Sequence, residues 1–214
     1  MLQQDPHTCP TFDSCALIVI DMQNDFVQPE GTASRPEALE ILPQTITLIE
    51  TFRKAHKHIA HVMRLYNQNG QKAEPCRRAQ LENGTEFVIP DTWGAQIADG
   101  LLPKGTVIDH EVLQWGTPIS ISAKECVLYK QSWSAFYKTQ LEWYLLEAPA
   151  KTVIVTGTWF ANCVRQTIYD AMSCHLRVVA VHDCIAGITD KDCADLEKVG
   201  CSVLTAKEIA AQLK

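Results

Sequence analysis

Glycine and proline are scarce in this chain of 214 residues, ten of each, and no stretch repeats or narrows to a few residue types. With 46% of residues hydrophobic, that excludes collagen-like, low-complexity and disordered classes. Long apolar runs are missing too: none approaches the roughly 18 to 20 residues a membrane span needs. The nine cysteines contain no C-x-x-C pair, so neither a zinc ribbon nor a disulfide framework is expected. Basic residues are in deficit, 19 Lys and Arg against 25 Asp and Glu, for a formal charge of −6. Such a field repels phosphate backbones and anionic bilayers, so no nucleic acid and no membrane is expected as a partner. The first ten residues lack a basic segment followed by an apolar one, so no targeting signal is expected and the thiol-rich chain reads as cytoplasmic.

What is present is alternation. The run Cys15-Ala-Leu-Ile-Val-Ile-Asp21 is almost wholly apolar between polar flanks, the pattern of a strand buried on both faces. Further strands are expected over 59–66, 126–130, 152–156, 177–182 and 201–205. Helical spacing occupies 36–56, 139–146, 162–174, 190–199 and 206–213. Strands alternating with helices predict βαβ units and a mainly parallel six-stranded sheet in one α/β domain over 1–214. The stretch 67–122 is broken by glycine and proline and reads as an irregular insertion, of a size that is more often functional or interfacial than idle.

In an open α/β sheet the ligand crevice lies beyond the carboxyl ends of the strands. Three reactive groups fall there: Asp21 ends the first strand, Lys130 ends the third, and Cys163 follows the fourth near a helix N-terminus, where a thiolate is favoured. Each alone has a bland reading, as a turn residue, a solvated strand end and a small buried hydrophobe. Together they form a nucleophile, a base and a cation suited to acyl transfer through a thioester. Phe26, Tyr66, Trp133, Phe136, Trp159 and Phe160 all fall near the same edge and are candidates for an aromatic substrate wall. Arg64, Arg77 or Arg78 could clamp a substrate carboxylate. His56, His58 and His61 open the second strand at the opposite edge and read as structural, as do Thr167, Asp170, His182 and Asp183.

Three segments then carry a resemblance. Leu17-Ile-Val-Ile-Asp-Met-Gln-Asn-Asp-Phe26, Lys130-x-x-Trp-Ser-Ala-Phe136 and Val155-Thr-Gly-x-x-x-x-Asn-Cys-Val-Arg-x-Thr167 resemble, in order, the motif blocks of the isochorismatase-like cysteine hydrolases. That superfamily includes nicotinamidases and N-carbamoylsarcosine, ureidoacrylate and biuret hydrolases. The resemblance implies a three-layer α/β/α fold, a small-molecule substrate, a homo-oligomer, and Asp21, Lys130 and Cys163 as a catalytic triad. It also implies a cis peptide at Thr158-Trp159, with the N–H groups of Trp159 and Cys163 as oxyanion hole. The chain departs from the nicotinamidase branch, whose Asp-x-His metal ligands are replaced by Arg64-Leu-Tyr-Asn-Gln-Asn69, so no metal and no other cofactor is expected. A cysteine at 163 favours hydrolysis of an amide, ureido or carbamoyl C–N bond over the vinyl-ether cleavage of isochorismatase proper. A catalytically idle ligand-binding domain on the same scaffold is the alternative from another class.

Overall fold

The computed structural model describes residues 5–213; residues 1–4, part of the stretch read for a targeting signal, lie outside the described residues, as does 214. In chain order the elements are β1 (Cys15–Ile20), α1 (Asn24–Val27), α2 (Pro36–Glu40), α3 (Leu42–Lys54), β2 (His58–Arg64), α4 (Pro75–Glu82), α5 (His110–Gln114), β3 (Ile119–Ser122), β4 (Glu125–Lys130), α6 (Leu141–Glu147), β5 (Thr152–Gly157), a π-helical turn (Phe160–Val164), α7 (Arg165–Ser173), β6 (Arg177–Ile185), α8 (Asp190–Lys198), β7 (Ser202–Leu204) and α9 (Ala206–Gln212). One sheet runs β3-β4-β2-β1-β5-β6-β7. It has seven strands where six were expected. The added one, β3, is the antiparallel edge strand, paired to β4 with a register shift at Ser120/Ser122. Its four residues sit inside the Gly- and Pro-broken stretch, too few to stand out by alternation.

β1 lies at the centre and shows why the sheet needs two covering layers. Cys15, Leu17 and Val19 enter the cluster under α3 and α9, with Leu48, Ile49, Phe52 and Ile209. The alternate residues Ala16, Ile18 and Ile20 enter the cluster under α6 and α7, with Leu141, Leu145, Val164 and Ile168. Both faces are buried because side chains alternate with period two along a strand.

The helical pattern over 36–56 divides into α2 and α3. Pro43 is the cause: it has no N–H for Leu39, and its ring excludes a continuous helix through that carbonyl. α3 carries Arg53 and Lys54 in its last turn, where they complement the helix dipole. Thr189 with Asp192 and Thr205 with Glu208 form capping boxes that start α8 and α9.

The insertion 67–122 is ordered around a third apolar cluster that includes Phe26, Tyr66, Phe87, Val88 and Leu113. Its 88–98 portion is strapped to the residues after β1. Asn24 N–H donates to Gln96 O, Asp25 N–H to Gly94 O and Ala98 N–H to Met22 O, each at 2.9 Å. Gln23 grips β2 and the strap together, exchanging hydrogen bonds with the Arg64 backbone and donating to Ala95 O. A Cβ on Gly94 would collide with the Asp25 carboxylate, so this close approach requires glycine. Among the described residues no helix is long and apolar enough to cross a membrane.

Candidate active site

The strand order reverses between β1 and β5, and a crevice opens outside their carboxyl ends at such a switch point. Asp21 follows β1, with its N–H donating to Val62 O at 2.8 Å and its φ of 50° in the left-handed region, where a non-glycine residue is strained. Opposite it, β5 ends at Gly157, whose missing side chain lets the backbone lie against Ile20. Thr158 then ties the two ends: its N–H donates to Ile20 O at 2.9 Å and its hydroxyl to Asp21 O at 2.8 Å. The Thr158–Trp159 peptide is cis. Cys163 lies in the π-helical turn that follows and leads into α7.

Lys130, at the end of β4, links the other two groups. Its Nζ lies 2.8 Å from Asp21 Oδ2 and donates to Cys163 Sγ and Ser132 O, each at 3.2 Å. Asp21 is 2% exposed and Lys130 0%, so the pair is sealed from water, while Cys163 is half-buried. Burial opposes the Lys130 ammonium, yet Asp21 and then Cys163 outweigh it and hold its pKa above the ordinary lysine value. Burial and the Asp21 carboxylate push the Cys163 thiol up to about 12, against the pull of Lys130. Both effects favour the protonated thiol over the thiolate that its helix-start position suggests. Asp21 Oδ1, the second carboxylate oxygen, is buried and has no hydrogen-bond partner, so a lone pair is free to take a proton.

A supporting contact lies beside the nucleophile. Thr167 donates to Cys163 O at 2.7 Å and accepts the Ala135 N–H at 3.0 Å, locking the turn to the segment after Lys130. Thr167, which reads from the sequence as structural, bridges two elements here. Asp183 accepts the Ala206 N–H at the start of α9, Asp170 accepts from Gln166 on the surface, and His182 is exposed.

The aromatic candidates divide. Trp133, Phe136 and Trp159 are half-buried, and the buried Trp133 Nε1 has no acceptor. Phe26 and Tyr66 are buried edge-on against Phe87 in the third cluster, with the Tyr66 hydroxyl donating to Glu74. Phe160 is buried in the cluster under α6 and α7. Arg64 is 2% exposed and donates inward to Leu65 O, Lys72 O and Glu74, with its guanidinium over the Tyr66 ring, so it has no fork to offer a ligand. Arg77 stacks on Phe87, and Arg78 donates to Ala73 O.

His61 is buried with Nε2 2.8 Å from Glu125, which Arg53 grips through two nitrogens at 2.6 and 2.9 Å. Among the described residues no three His, Cys, Asp or Glu side chains gather to hold a metal ion. A cavity of about 730 Å³ opens elsewhere, along 96–108 with Asp91 and His110, and includes none of the three reactive residues.

The isochorismatase domain pattern matches residues 15–208. The chain belongs to the isochorismatase family. Its family relatives include a probable inactive nicotinamidase of Arabidopsis thaliana, 27% identical over 204 residues, 92% of this chain and 95% of that one. A solved isochorismatase family protein of Desulfovibrio vulgaris superposes with a TM-score of 0.79 at 28% identity, covering 94% of this chain and 98% of its own. N-carbamoylsarcosine amidase of Thermoplasma acidophilum gives 0.70 at 26% identity, covering 90% and 96%. Membership of the isochorismatase family supports a hydrolase, and the amidase relatives support amidohydrolase activity in general.

Proposed function

We propose that the protein is a cysteine-dependent amidohydrolase that cleaves a non-peptide C–N bond, amide, ureido or carbamoyl, of a small molecule through a thioester. The observation that carries this reading is the sealed contact of Lys130 Nζ with both Asp21 Oδ2 and Cys163 Sγ. With the thiol protonated at rest, attack and deprotonation are coupled. As Sγ bonds to the carbonyl carbon, its proton passes to Asp21, and the carbonyl π electrons move to oxygen. In this reading the N–H groups of Trp159 and Cys163 receive that oxyanion, and the Trp159 N–H donates to no acceptor among the described residues. Collapse of the intermediate breaks the C–N bond, and Asp21 returns the proton to the departing nitrogen. Water then attacks the thioester, giving a proton to Asp21 that restores the thiol as the product acid leaves. Lys130 keeps its proton throughout and balances the charge of Asp21 and of the developing thiolate. Trp133, Phe136 and Trp159 supply the aromatic walls.

The idle-domain reading is favoured by one observation, the inactive assignment of the Arabidopsis relative. A screen of small amides, ureas and carbamoyl amino acids for released ammonia separates the two. Release that disappears in Cys163→Ala supports hydrolysis. No release from any of them, with no acyl adduct on Cys163 by intact mass, overturns it.

A further inference from the structure

Arg35 stands apart from other arginines of the chain: Arg53, Arg64 and Arg165 are each paired to a carboxylate. Arg35 is exposed and, among the described residues, its guanidinium has no hydrogen-bond acceptor and no acidic partner; it lies against Trp159, whose ring centroid is 5.1 Å from the guanidinium carbon. A cation–π contact of this kind uses none of the guanidinium N–H groups as hydrogen-bond donors and so leaves them available to a ligand. The backbone that delivers it is fixed. Thr32 N–H donates to Asp25 Oδ1 and Ala33 N–H to Asp25 O, four residues from the triad aspartate. Pro36 then restricts Arg35 to the extended conformation it adopts, φ −143° and ψ 149°. An unpaired cation thus sits against the side chain of the residue whose backbone N–H belongs to the proposed oxyanion hole.

Resting on the hydrolase reading, we infer that Arg35 receives a carboxylate of the substrate, so that the bond cleaved is the amide, ureido or carbamoyl bond of an anionic acid. A guanidinium edge matches the two oxygens of a carboxylate. Lys130 cannot serve, because its three protons already have acceptors. One guanidinium in a chain of net charge −6 suits a singly charged group better than a phosphate.

Iodoacetate and iodoacetamide test this without knowledge of the substrate, since they differ only in carboxylate against carboxamide. Their alkylation rates at Cys163 are measured by peptide mapping at pH 8.5 and low ionic strength, with the exposed Cys76 as internal reference. The iodoacetate-to-iodoacetamide ratio is expected to be higher at Cys163 than at Cys76. Arg35→Met should lower it about tenfold at Cys163 alone, the effect of losing one charge-assisted hydrogen bond, and Arg35→Lys should restore part of it. A ratio at Cys163 that Arg35→Met leaves unchanged overturns the inference while the hydrolase reading stands. A Cys163 that reacts with neither reagent overturns both.

Discussion

With a carboxylate, a carbonyl and a sulfur around its Nζ, Lys130 has no proton left for a substrate, and its effect on turnover runs through the two groups it holds. Asp21→Asn removes the proposed proton acceptor while keeping shape, and kcat should fall by about 10² to 10⁴ with the circular dichroism spectrum unchanged. Lys130→Ala should abolish turnover and also cost about 3 kcal/mol in urea unfolding, because it leaves a buried carboxylate without its partner. A thiol held near 12 is mostly protonated at neutral pH, so alkylation of free Cys163 should be slower than that of Cys76 and rise about tenfold per pH unit up to pH 10. Stopped-time mass mapping reads both rates. The three reactive residues were legible because each ends a strand or starts a helix, where sequence position fixes location. Phe26, Tyr66 and Phe160 were not, because an aromatic beside the active edge can turn into the core, and nothing in the order of residues says which way.

Among the elements, the tie between β2, β4 and α3 makes stability depend on acid. His61 Nδ1 is buried without a partner, which suits a neutral ring donating from Nε2; a cation would leave a buried N–H unsatisfied. Burial lowers the His61 pKa. Burial alone would raise the Glu125 carboxyl, but its hydrogen bonds from His61 and Arg53 bring it down to about 2. In both cases the unfolded chain binds more protons as pH falls, so stability is lost below about 6.5 for the histidine and between about 4.5 and 2 for the glutamate. Urea unfolding at pH 7, 5.5 and 4 should show that decline, and Glu125→Gln should lower stability at pH 7 by about 3 kcal/mol while flattening the slope between pH 5.5 and 4. The long apolar and amphipathic elements were legible from period alone. β3, α4 and α5 were not: they are short, and Leu81, Leu113, Ile119 and Ile121 tie them to the third cluster rather than local propensity forming them.

At the scale of the molecule, the crevice collects an acid, an amine and a thiol from three strands but no cluster of metal-ligating side chains among the described residues. A thiol with backbone donors can provide both the nucleophile and the oxyanion site that a metal would otherwise supply. Dialysis against EDTA, with thiols kept reduced, should therefore leave kcat/KM for the ammonia-releasing substrate within error of the untreated value. Loss restored by stoichiometric zinc, iron or manganese would reveal ligands contributed by 67–122.

The central place of β1 bears on how the chain is made. β1 is made well before one of its two neighbours, β5, which begins at Thr152, so while the intervening segments are synthesised its apolar edge has a partner on one side only. Asp21, Lys130 and Cys163 cannot meet until the turn that follows β5 has been made. Pairing over such separations is slow, because loop closure is opposed by entropy before contacts reward it, and an open apolar strand invites association with other chains. Nascent chains that end before β5 are the ones expected to aggregate or to bind chaperones, and chains extended beyond α7 the first able to bring the three reactive residues together.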